Sequence, residues 1–194
     1  MKSDFYKEYI APVVVLVAIC LVITLALALT YGVSNPVIEA NAKKNADAAR
    51  MELLPDAGSF TQVEGDLYQA SAKVYVTEAY TAENGGAVIS VDTASFGGAM
   101  NMMVGIDSEG KVTQIKIMDH ADTPGVGTKN WDGNNIVGGG RTEMQFGGVS
   151  ELTASNIKAD KNIQQITGAS VSGGAIYEGV KCALEQYKSI GGAN

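Results

Sequence analysis

Between Thr167 and Gly174 the sequence reads TGASVSGG, three hydroxyls and three glycines in eight residues. A connection into a helix needs one glycine and one capping hydroxyl, so the surplus makes the segment a candidate site. The pattern predicts a helix starting near Gly173 or Gly174 with Ser172 as its N-cap, where unpaired amides form an anion nest. That leaves Thr167, Gly168, Ala169 and Ser170 unexplained. A hydroxyl beside a helix N-terminus, flanked by small residues, suits esterification by a phosphate, because the amides and the helix dipole stabilise the remaining charge of the diester. The second stretch is HADTPGVGT, His120 to Thr128. His120, Asp122, Thr123 and Thr128 concentrate donors and acceptors, and Gly125, in a Pro-Gly turn signal, lets backbone amides approach a ligand. An imidazole there can donate a proton or a hydrogen bond to a redox cofactor. On composition alone the plainer reading, a polar loop after a strand, is the stronger one for this stretch.

The elements that must position these residues follow from periodicity. AKVYVTEAY, GAVISVDTASFGGAMNMMVGID and KVTQIKIMDH are rich in Val, Ile, Thr and aromatics, with DSEG at Asp107 to Gly110 as a hairpin turn. In the third, Thr113, Ile115 and Ile117 alternate with Val112, Gln114 and Lys116, as in a half-buried strand. Ile176, Val180, Ala183, Leu184 and Tyr187 line one face of a closing helix. The fold class is α+β, an antiparallel sheet with flanking helices. NWDGNNIVGGG, Asn130 to Gly140, shows no period and reads as surface loop; the run Gly138 to Gly140 has no functional account.

Before this domain, Tyr9 to Ile38 carries no charged residue. About 20 apolar residues span a bilayer core, so the stretch predicts a single transmembrane helix. It outlasts a signal-peptide core, although AlaLeuAla at Ala26 to Ala28 offers a cleavage-like site. A lipoprotein reading through Cys20 is disfavoured by Ile19. Lys2 and Lys7 before the span, against Lys43 and Lys44 beyond it, lean slightly toward an inside N-terminus. The expected division is 1–35 tail and anchor, 36–58 a membrane-proximal helix or linker bracketed by Pro36 and Pro55, and 59–194 the domain. A net charge of −7 without basic runs argues against nucleic acid. Two cysteines and one histidine argue against a disulfide framework or a metal centre.

ITGASVS, Ile166 to Ser172, resembles the flavinylation motif of the FMN-binding domain in the G subunit of the Rnf electron-transport complex and the C subunit of the sodium-pumping NADH:quinone oxidoreductase. HADTPGVG is similar to that family's His-x-Glu-Thr-Pro-Gly-Leu-Gly, and FGGAMNMMVGIDSEGKV, Phe96 to Val112, to its glycine-rich hairpin. The compact length looks more like the Rnf subunit. The resemblance implies FMN joined by a phosphodiester to Ser170, installed by a flavin transferase that uses FAD. It also implies a phosphate turn shaped by Thr167, Gly168 and Ala169, with Ser172 as the next candidate for the linkage, and a flavin pocket lined by His120, Asp122, Thr123 and Gly125. Three departures stand out: Ser170 for the usual threonine, Gln164 for an aspartate, and Asp122 for glutamate. The resemblance implies no catalytic or metal site of the chain's own. It implies electron relay in an ion-translocating ferredoxin:NAD+ oxidoreductase, other membrane and peripheral subunits as partners, and an extracytoplasmic domain on a single-pass anchor in the cell membrane. A tethered FMN protein of an extracellular electron-transfer chain, or a non-redox assembly module, are the alternatives.

Overall fold

The computed structural model describes residues 9–138 and 144–191. Helix α1 runs from Ala11 to Leu53, and its apolar side chains from Val13 to Ile38 are exposed, as a bilayer-facing helix requires. It is the one described helix long and apolar enough to cross a membrane. Pro36 lies inside α1 instead of separating two helices. A proline interrupts one backbone bond, and good helix formers on either side keep the helix going. Lys2 and Lys7, on which the orientation reading partly rests, lie outside the described residues.

Residues 1–47 and 48–194 form two compact units. The second holds β1 (Phe60–Gln62), β2 (Gln69–Ser71), β3 (Val74–Ala82), β4 (Ala87–Ala94), β5 (Ala99–Ile106), β6 (Val112–His120), β7 (Ile136–Val137) and helix α2 (Ser170–Ser189). The sheet runs β1-β3-β4-β5-β6-β7, with β2 also on β3, and every described pairing is antiparallel. This is the α+β architecture that the strand and helix periods predict.

One sheet face packs on α2. Ile89, Met102, Val104, Ile115 and Ile117 meet Ile176, Val180, Ala183 and Leu184 in one core, all at most 2 % exposed. The predicted alternation in β6 is broken: a register shift opposite Val104 and Ile106 leaves both Val112 and Ile115 buried. Thr113 instead turns to the other face, where its Oγ1 donates to the Leu53 carbonyl at 2.9 Å. That face is covered by the end of α1 and the turn after it, through Ala49, Leu53, Leu54 and Ala57. Arg50 lies over the Tyr80 ring at 3.7 Å and pairs with Glu78 at 3.3 Å, and Lys116 pairs with Glu52. At the far end of α2, Tyr187 Oη lies 3.1 Å from both the Gly85 and the Asp107 carbonyl oxygens, beside two hairpin turns. The Cys182 thiol is buried against the Tyr68 carbonyl.

A long connection, residues 144–169, closes over α2 through buried Leu152, Ile157 and Ile163. Its anchor is Asp160, which accepts from the Asn162 amide at 2.8 Å and from Tyr177 Oη at 2.8 Å. The Asn162 amide is the main cause holding the Asp160 carboxyl below its usual range, aided by Tyr177 and opposed by desolvation. A carboxyl lowered in the folded state contributes stability above its unfolded pKa of about 3.9, and that contribution fades as pH falls through the lower folded value. Thermal unfolding midpoints are therefore expected to drop as pH falls below about 4, and less steeply in Asp160→Asn, whose amide does not titrate. Equal slopes in the two chains would show that Asp160 is not the group responsible.

Candidate FMN site

The TGASVSGG segment enters α2 earlier than its composition predicts. A turn from Ile166 to Ala169 is closed by the Ala169 amide on the Ile166 carbonyl, 3.1 Å, with Gly168 in the left-handed region at φ +82°. Ala169 is the N-cap residue, and Gly173 N to Ala169 O, 2.9 Å, is the first helical bond. Ser172 is thus not the cap: it sits inside the first turn, 1 % exposed, with a hydroxyl that has no hydrogen-bond partner. Gly173 serves packing rather than initiation. A Cβ on Gly173 would stand 3.1 Å from Asn130 Oδ1 and 3.3 Å from Met144 Sδ. Ser170, the first helical residue, is exposed beside the amides that precede the helical ladder. Gln165 Nε2 donates to its carbonyl at 3.3 Å. Gln164 is exposed.

A cleft of about 310 Å³ opens here. Gly168, Ala169, Ser170, Val171 and Ser172 form one wall, and Phe96, Val126 and Gly127 the other. The three motif segments, distant in sequence, therefore meet at one place. Phe96, Val126 and Val171 are 71, 45 and 56 % exposed and give it an apolar rim.

Thr167, His120, Asp122, Thr123 and Gly125 are not among the lining residues. Thr167 is exposed on the turn before the cleft. His120 ends β6 and packs edge-on against Trp131, ring centroids 4.9 Å apart, while its Nδ1 accepts from the Asp122 amide at 3.2 Å. Asp122, 4 % exposed, lies behind the Phe96 wall: its Oδ1 accepts from Ser95 Oγ at 2.9 Å and from Gly97 N at 2.6 Å, and its Oδ2 is buried without a partner. Thr123 and Gly125 belong to the exposed turn before a 3-10 turn, Gly127–Asn130; the Thr123 carbonyl accepts from Val126 N, and Gly125 N donates to Thr128 Oγ1.

The surface-loop reading of Asn130 to Gly140 needs correction for its first part. Asn130 is 0 % and Trp131 5 % exposed, and Ile136–Val137 is strand β7. Asn130 Nδ2 donates to Gly127 O at 2.8 Å and to Ala169 O at 3.4 Å, tying the two walls of the cleft together. Nothing periodic announces it, because its burial comes from segments far away in sequence. Gly139 and Gly140 lie outside the described residues. Phe96, Val126, Gly127 and Val171 were also missed as lining residues, although all four stand in the quoted motifs.

The walls are held at close range. A Cβ on Gly97 would fall 2.1 Å from the Ala121 carbonyl oxygen, and one on Gly127 would fall 2.7 Å from Asp122 Cγ. Gly97→Ala is expected to cost about 1–3 kcal/mol in chemical denaturation, because backbone rather than a flexible side chain must move. A loss within error would show that the turn can shift freely.

Residues 95–185, which hold the cleft, match the model of the FMN-binding domain. Relatives cover nearly the whole chain. It is 30 % identical over 176 residues to the G subunit of the proton-translocating ferredoxin:NAD(+) oxidoreductase complex of Clostridium ljungdahlii, covering 89 % of this chain and 88 % of that one. It is 27 % identical to the G subunit of the Na(+)-translocating ferredoxin:NAD(+) oxidoreductase complex of Acetobacterium woodii, over 91 and 90 % of the two chains. The G subunit of the ion-translocating oxidoreductase complex of Methanosarcina acetivorans is 24 % identical, over 92 and 94 %. The chain belongs to this family of G subunits and is a membrane protein with an FMN-binding domain.

Proposed function

We propose that the chain is the flavin-carrying, membrane-anchored electron-transfer subunit of an ion-translocating ferredoxin:NAD+ oxidoreductase complex, with FMN joined by a phosphodiester to Ser170 Oγ. The observation that carries this is the cleft that Ser170, an exposed residue at a helix N-terminus, lines together with residues of the other two motif segments. The buried, partnerless Ser172 hydroxyl supports the fit, since a phosphate oxygen would satisfy it at a site otherwise costly to leave unpaired.

When bound, FMN supplies reversible uptake and release of electrons. The chain's own residues do the positioning. In attachment, the Ser170 oxygen forms a bond to the FMN phosphorus of an FAD donor; the pyrophosphate bond breaks, AMP leaves, and the hydroxyl proton is lost, with a flavin transferase as the maturing partner. Thr167, Gly168 and Ala169 shape the turn that delivers the phosphate to the first amides of α2, where the helix dipole favours the charge. Asp122 and His120 brace the opposite wall, with Thr123 and Gly125 in the turn leading to Val126 and Gly127. The apolar rim suits a planar ring system. In this proposal 1–35 is tail and anchor, 36–58 the connection, and 59–194 the FMN domain on the extracytoplasmic side, beside the other subunits of the complex.

The test is coexpression of the chain with a flavin transferase, followed by denaturing electrophoresis. A fluorescent band supports the covalent flavin, and a dark one would overturn the linkage to Ser170; absence of flavin from the native protein as well would favour a non-redox assembly module. Copurification with the other complex subunits separates the complex from a free-standing electron-transfer protein.

A further inference from the structure

The β4–β5 turn, Ser95 to Gly98, presents a large aromatic ring to water at the cleft mouth, yet the turn itself is held tightly. Asp122 Oδ1 accepts from the residues on both sides of Phe96, Ser95 Oγ at 2.9 Å and Gly97 N at 2.6 Å. Ser95 N also donates to Gly98 O at 2.8 Å. Gly97 lies so near the Ala121 backbone that no side chain fits between them. A carboxylate buried to 4 % exposure with one oxygen unpartnered is an unfavourable group to place under a surface turn. An apolar ring left in water is unfavourable as well. Both features make sense if the ring must be kept ready for a ligand surface that covers it.

We propose that Phe96 packs on the planar ring system of the cofactor and limits the access of solutes to it, and that Asp122 is the positioning residue that holds Phe96 in place. This rests on the flavin reading of the cleft. Among the three exposed apolar residues of the rim, Phe96 alone offers a flat face, and aromatic surfaces associate beyond what their buried area explains. Asp122 acts through the turn and not by touching the cofactor.

Loading is first read from the fluorescent band after denaturing electrophoresis, and the native loaded protein is then titrated with iodide, a collisional quencher of flavin fluorescence. Only loaded chains contribute to that signal. Phe96→Ala, at an exposed position where misfolding is not at issue, is expected to raise the quenching constant roughly two- to tenfold, the range that one aromatic contact commands. Asp122→Ala should raise it nearly as much with Phe96 still present, and the double variant should go no further. Asp122→Asn keeps an oxygen acceptor for Ser95 and Gly97 and should restore the wild-type value, which a general loss of stability would not predict. An unchanged constant in Phe96→Ala overturns the role of Phe96 while leaving the flavin reading intact. Additive effects in the double variant overturn the role of Asp122. A wild-type chain that takes up no flavin overturns the reading of the cleft, and this inference with it.

Discussion

Ser170→Ala is expected to abolish the flavin fluorescence that stays with the polypeptide through denaturing electrophoresis, while stability to chemical denaturation changes by no more than about 0.5 kcal/mol. The two halves of that result have separate causes. The Ser170 side chain is exposed, and the N-cap position belongs to Ala169, so alanine costs the helix little. The hydroxyl oxygen, by contrast, has no substitute in an ester bond. Ser172→Ala is the informative control. The residue is 1 % exposed and belongs to the cleft lining, so removing its hydroxyl should weaken the hold on the phosphate without abolishing the covalent band. A fluorescent Ser170→Ala band with a dark Ser172→Ala band would move the ester two residues along the helix; exposed Thr167 would be the remaining candidate if both stayed bright.

A soluble chain beginning at Ser59, the boundary suggested by composition, is expected to be less stable than one beginning at Lys44 by several kcal/mol. Deleting a buried leucine side chain alone costs about 2–5 kcal/mol, and Leu53 is 2 % exposed against the sheet. Ala49, Leu54 and Ala57 go with it, leaving Gly105 and Val88 uncovered on that face. The Arg50 contacts with Tyr80 and Glu78 would also be lost, as would the bond from Thr113 to the Leu53 carbonyl. Comparison of the two fragments by urea denaturation decides the point. Equal stabilities would mean that the end of α1 merely rests on the domain.

What was legible in the chain followed from period and composition. The strands, the inner face of α2 and the apolar span are each carried by residues close in sequence, and their patterns survive folding. The start of α2 was misplaced by three or four residues because glycines at positions 173 and 174 look like a helix boundary. Gly173 instead lies close to Asn130 and Met144, an approach that no local pattern encodes. Asn130 and Trp131 were hidden for the same reason: a segment without periodicity was assigned to the surface, while the fold closes it between α2 and the end of β6. The motif segments were found, but not the way they divide the work. Gly168 to Ser172 line the cleft, whereas His120 and Asp122 stand behind the opposite wall. Burial of that kind is decided by which turns meet.

The thiol of Cys182 bears on oxidative damage. Reduced flavins hand electrons to oxygen, and the peroxide that results attacks thiolates that solvent can reach. Cys182 is 1 % exposed, and burial pushes its thiol up to about 11, so the sulfur stays protonated and shielded at physiological pH. Cys20, the other thiol, lies within the apolar span of α1. The cofactor domain thus presents no ready sulfur for sulfenic acid formation or mixed disulfides, whichever face of the membrane it occupies.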